Sequence, residues 1–127
     1  MARRYLQKPT ILLDPGKGRV RIYKCTLHSL GDPEYILLIV NPFDQSITVM
    51  RSEKSDQRAY HLGRTLRDNH RSPEIFCKSL LRNLFTINTC WDKKQSYRIF
   101  GKASLDGNAV TFGFVDSVLF LGEREWQ

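Results

Sequence analysis

Between residues 96 and 115 the chain reads SYRIFGKASLDGNAVTFGFV, with apolar and polar positions alternating on either side of Asp106-Gly107. Such alternation around a two-residue turn signal predicts a β-hairpin, and Asp-Gly favours a type I′ turn. That turn sets Ala103 opposite Val110, Gly101 opposite Phe112 and Ile99 opposite Phe114 on one apolar face. Arg98, Phe100 and Lys102 share the other face. Gly101 and Gly113 each fall opposite a phenylalanine, whose ring can cover bare backbone.

Upstream, GRVRIYKCTLHSL (18–30) alternates in the same way and predicts a strand. Val20 and Ile22 lie on one side of it, Arg19, Arg21 and Tyr23 on the other. EYILLIV is apolar on both faces, as a central strand is, and SITVMR (46–51) makes a third. The turns GDP and NPFDQ are short, so these strands form an antiparallel meander. TILLDPGKG is a brief apolar run stopped by turn chemistry. Residues 1–17 therefore read as a basic N-terminal arm or edge strand, and 18–127 as a single α+β domain. Residues 52–72 are polar and aperiodic, with AYHL at most an edge strand. A stretch of that length without regular structure points to function or mobility.

Ser72-Pro73-Glu74 carries the chemistry of a helix start, with serine as cap and proline at the first helical position. Phe76, Leu80, Leu84 and Ile87 follow at helical spacing, Leu81 widens the stripe, and Lys78 and Arg82 fall off it. SVLFL adds one more strand after the hairpin. No internal repeat is evident. The expected fold is α+β: a small antiparallel sheet, built from the three-strand meander and the C-terminal hairpin, with one helix packed on one face.

Charge adds a direction to this picture. The chain of 127 residues has a net charge of +7, and residues 1–24 hold seven Lys or Arg against Asp14 alone. Such asymmetry suits a polyanionic partner. Open sheets bind single strands by stacking bases on aromatics flanked by cations, although no RNP-type signature occurs. Arg19-Arg21-Tyr23 and Arg98-Phe100-Lys102 each supply that combination, and together they make a basic, aromatic face if the two strands adjoin. Arg64, Arg67 and Arg71 of the polar segment add further positive charge. The expectation is a small basic, non-enzymatic module binding DNA or RNA without strong sequence specificity. In the rival reading the same outer face is a self-association surface of a homo-oligomer, and a hydrolase or nuclease ranks third.

Catalytic and metal signals are sparse. Cys25, Cys77 and Cys90 form no CxxC pair, and His28, His61 and His70 make no zinc-ligand spacing with them. The glycine–lysine of DPGKG lacks the spacing and the following Ser/Thr of a phosphate-binding loop. Cys77 and Cys90 read as packing residues, and most acidic residues fall at turns, where Asp bonds its own backbone. No catalytic residue, metal or cofactor is expected. Scattered thiols suit a reducing, cytoplasmic setting. The longest apolar run, YILLIV, is far too short to span a membrane, and the basic opening MARRYLQKPT lacks the apolar stretch of a secretory signal.

Overall fold

The computed structural model describes residues 8–62 and 72–122. Among the described residues there are eight strands: β1 (Thr10–Asp14), β2 (Arg19–Ile22), β3 (Tyr35–Asn41), β4 (Ser46–Ser52), β5 (Tyr60–His61), β6 (Glu74–Phe76), β7 (Ser96–Ala103) and β8 (Ala109–Phe120). Helix α1 spans Lys24–Ser29 and α2 spans Lys78–Ile87. All strand pairs are antiparallel, in the order β5-β3-β4-β8-β7-β1-β2-β6, and the sheet curls into a nearly closed barrel.

This overturns the expected small meander with a hairpin and a single helix. Only β3 and β4 of the meander are neighbours, paired from Tyr35↔Ser52 to Asn41↔Ser46. The 18–30 strand ends at Ile22, and the chain then turns into α1. Thr26 ties that helix to β1: its Oγ1 accepts from the Thr10 amide and donates to the Thr10 carbonyl, both at 2.7 Å. A buried threonine with both roles satisfied in this way outweighs the β propensity of the segment. β1 itself is an inner strand, between β7 and β2, not an edge.

The helix start at Ser72 is also corrected. Glu74–Phe76 is an edge strand whose partners on β2 are Arg19↔Phe76, Val20↔Ile75 and Arg21↔Glu74. Helix α2 begins only after Cys77 and buries Leu81, Leu84 and Phe85. The stripe is thus turned by one position, leaving Leu80 and Ile87 at its margin and Phe76 73% exposed on the strand. Pairing with β2 won over helical periodicity because Ile75 enters the core from an extended backbone.

In the hairpin, Gly101↔Phe112, Lys102↔Thr111 and Ala103↔Val110 pair as the sequence indicates. The turn is different. Among its residues only Gly107 has positive φ (74°), and its amide donates to the Ser104 carbonyl at 3.1 Å, so type I′ is excluded. Beyond Gly101 the register jumps: Ile99 faces Ser117, and Gly113–Asp116 on β8 oppose Phe100 alone. This bulge lets Phe114 turn into the core, its ring centroid 4.8 Å from that of Trp91. SVLFL is the continuation of β8 past the bulge, not a separate strand.

One core fills the barrel. Ile11 and Leu13 of β1, Val20 and Ile22 of β2, Ile47 and Val49 of β4, and Val110 and Phe112 of β8 all face it. Both helices cap the same interior, α1 through Leu27 and Leu30, α2 through Leu81 and Leu84. The chain therefore runs strand–helix–hairpin twice, as β2-α1-β3-β4 and β6-α2-β7-β8. The first strands of the two runs pair with each other, and so do the last, the latter centred on Thr48↔Thr111. This arrangement approximates an internal twofold.

Candidate functional site

The inward residues of β1, β2 and β7 leave Leu12, Arg19, Arg21 and Arg98 on the outer face, since neighbouring side chains alternate. Cross-strand register sets them in one row: Val118, Arg98, Leu12, Arg21, Glu74. The two basic strands do not adjoin; β1 lies between them. Even so, Tyr23 reaches Arg98, whose guanidinium carbon lies 5.6 Å from the tyrosine ring centroid and 4.7 Å from that of Phe120. Arg98 Nε is buried and has no hydrogen-bond partner among the described residues, and the flanking rings hold the cation through their faces. With Arg98 against it, the Tyr23 ring is not a free platform for a base.

The other two arginines are already neutralised. Arg19 Nε lies 3.0 Å from Asp14 Oδ2, and its Nη1 lies 2.7 Å from Glu74 Oε2. Arg21 Nη2 meets the same Glu74 oxygen at 3.2 Å. Burial works against the Arg19 charge, but the bond to Asp14 and the field of Glu74 outweigh it and raise its pKa above the ordinary value. Phe100 and Lys102 share the outer face of β7, with Phe100 half-buried at the bulge and Lys102 exposed beyond it. Lys102 sits four residues along the strand from Arg98, about 13 Å. Arg64, Arg67 and Arg71 lie outside the described residues.

A second cationic region lies where the sequence reading did not place one. The β1–β2 turn packs against α2 through the Cys77 amide, which donates to the Gly18 carbonyl at 2.9 Å. Beside this contact is a half-open pocket of about 220 Å³. Its floor is Leu81 and Phe85, one wall is Pro15 and Gly18, and Lys78, Arg82 and Lys93 line it with no carboxylate among them. Lys17 in the turn and Lys94 beside Lys93 extend the charge. None of these five cations has an ion pair among the described residues.

That arrangement works against stability. Lys78 and Arg82 are i and i+4 on one helix, where like charges repel by a few tenths of a kcal/mol. The first turn of α2 has no acidic residue to balance Lys78 at the end where the helix dipole disfavours a cation. The signal was present in KSLLRNLFTI, a helix with basic residues four apart and no acid. What the sequence could not show was Lys93 facing them from another segment.

Burial pushes the Cys77 thiol up to about 11, far from a reactive thiolate at neutral pH. Among the described residues no three His, Cys, Asp or Glu side chains gather as a metal site would require. Nor is any helix there long and apolar enough to cross a membrane.

No protein-family model matches this chain, and neither a curated protein nor a solved structure matches it.

Proposed function

We propose that this protein is a small, non-enzymatic module of the reducing cytoplasm that binds nucleic acid, DNA or RNA, without strong sequence preference. The binding surface is the β1–β2 turn, the exposed side of α2 and the loop before β7. One observation carries the reading: Lys78, Arg82 and Lys93 line the pocket there, Lys17 and Lys94 adjoin its lining in sequence, and none of the five has an ion-pair partner among the described residues. A phosphate chain supplies the missing anions, and the energy comes largely from counterion release. Arg19 and Arg21, saturated by Asp14 and Glu74, contribute little.

The test is anisotropy of a labelled single strand of about 20 nucleotides, longer than a typical single-strand site, over a salt series. Replacing Lys78 and Arg82 with Gln should weaken binding to every sequence and flatten the logarithmic salt slope by about 1.4, for two lost phosphate contacts. Arg19→Gln with Arg21→Gln should leave the slope unchanged. Absence of binding at low salt removes the proposal.

A second reading has its own support. Pairing of β8 with β4 stops at Gly113, so Ser117–Phe120 pairs only with β7 among the described residues. Val118 and Leu119 are exposed along that edge, and Val115 just before it. An open apolar edge is a template for strand addition by a second copy. Concentration-dependent sedimentation that Val118→Lys abolishes would favour this reading.

A further inference from the structure

We propose that the pocket between the β1–β2 turn and α2 binds a terminal phosphate: a phosphomonoester dianion carried on a small, partly apolar body. The proposal rests on the polyanion reading of this surface and narrows it. Two sources share the chemistry, a free organic phosphate and the phosphorylated end of a nucleic-acid strand.

Size favours an end over a strand passing through. The cavity of about 220 Å³ is smaller than the roughly 300–1,000 Å³ of drug-sized sites. It is still several times the about 30 Å³ share of one water. A phosphate with one ring fits that space. An internal phosphodiester, which must continue on both sides, can pass Lys78 and Arg82 at the rim, whereas an end can also lay its body on the floor of Leu81 and Phe85.

Charge favours a monoester. Lys78, Arg82 and Lys93 converge with no carboxylate among the described lining residues. A monoester carries about −1.5 to −2 at neutral pH, against −1 for a phosphodiester, and has three free acceptor oxygens. The stem of one cation is packed on the turn. The Lys78 stem crosses Gly18 so closely that a Cβ there would lie 2.5 Å from Lys78 Cγ. Thr86 Oγ1 donates to the Arg82 carbonyl at 2.8 Å, so its hydroxyl proton is already used. The apolar floor then packs against the body that carries the phosphate.

The test uses the intact protein, labelled with ¹⁵N. Phenyl phosphate, phenol, and one tetranucleotide in 5′-phosphorylated, 3′-phosphorylated and unphosphorylated forms are titrated while the amides of Gly18, Thr86 and Lys93 are followed. A phosphorylated probe should bind about tenfold or more tightly than its unphosphorylated counterpart, with shifts centred on those amides. Affinity should fall between pH 7 and pH 5 as the dianion takes up a proton near pH 6. Lys78→Gln and Lys93→Gln, both exposed positions, should each remove the preference while the rest of the spectrum is kept. Saturation by phenyl phosphate identifies a small organic phosphate as sufficient; saturation only by a phosphorylated tetranucleotide identifies the strand end. Equal affinity of all phosphorylated and unphosphorylated probes overturns the pocket proposal. In that event, salt-dependent binding of the longer strand keeps the nucleic-acid reading, and its absence removes that as well.

Discussion

The ring of Phe112 lies against the backbone of Gly101, so that a Cβ added to Gly101 would sit 2.6 Å from Cδ2 and Cε2 of the ring. The two residues are directly paired on β7 and β8. Phe112 is fully buried. Gly101→Ala should therefore destabilise the protein by roughly 1–3 kcal/mol, the usual range for overpacking, although alanine suits extended backbone better than glycine. Urea unfolding of Gly101→Ala, Phe112→Leu and the double variant checks the cause. If the contact is responsible, the double variant is more stable than the sum of the single effects predicts.

Leu84 and Phe76 separate the observed helix from the one its sequence suggests. Leu84 is fully buried, so Leu84→Ala should cost roughly 2–5 kcal/mol through the cavity left behind. Phe76 stands exposed on β6, and Phe76→Ala should stay within about 0.5 kcal/mol of wild type. Equal losses in thermal or urea unfolding would return Phe76 to the core and cancel the β6 assignment.

Asp106 gives the hairpin turn a pH dependence. Its Oδ1 accepts from the Ser104 hydroxyl at 2.6 Å and the Asn108 amide at 3.0 Å, and these bonds hold its pKa below the ordinary 3.8. A carboxylate with a depressed folded-state pKa contributes stability above its unfolded value and loses it as pH falls through the folded one. The contribution should be complete at neutral pH and disappear progressively below pH 3.8. Asp106→Asn should flatten this part of the profile. Melting temperatures of both proteins between pH 7 and pH 2 measure it, and identical slopes below pH 4 would refute the assignment.

What the sequence made legible was local. The pairs Gly101–Phe112 and Ala103–Val110 follow from alternation and the turn signal, and the β3–β4 hairpin from its short connection. The bulge at Phe100 was hidden because its cause, the packing of Phe114 on Trp91, lies across the core. The helical pattern through Phe76 failed because Ile75 and Phe76 satisfy a strand on β2, a partner over fifty residues away in the chain. The basic face was readable as alternation, and Arg98 and Tyr23 do come together, with Arg21 one strand further away in the same row. Its neutralisation was not readable, since Glu74 meets Arg19 and Arg21 only through the β2–β6 pairing. The pocket depends on the turn at Gly18 meeting α2, a contact with no local trace.

The place of β1 in the sheet matters while the protein is being made. β1 is held between β2, a few residues downstream, and β7, which begins at Ser96. A ribosome adding about 5–20 residues per second delivers β7 roughly 5–20 seconds after β1. Throughout that interval one edge of β1 has no strand beside it, and Ile11 and Leu13, fully buried in the finished barrel, lack most of their cover. Pairings this distant in sequence also form slowly, since the connecting chain must be ordered before they contribute. The nascent chain therefore carries an apolar, open-edged hairpin until β7 has been made and has paired with β1.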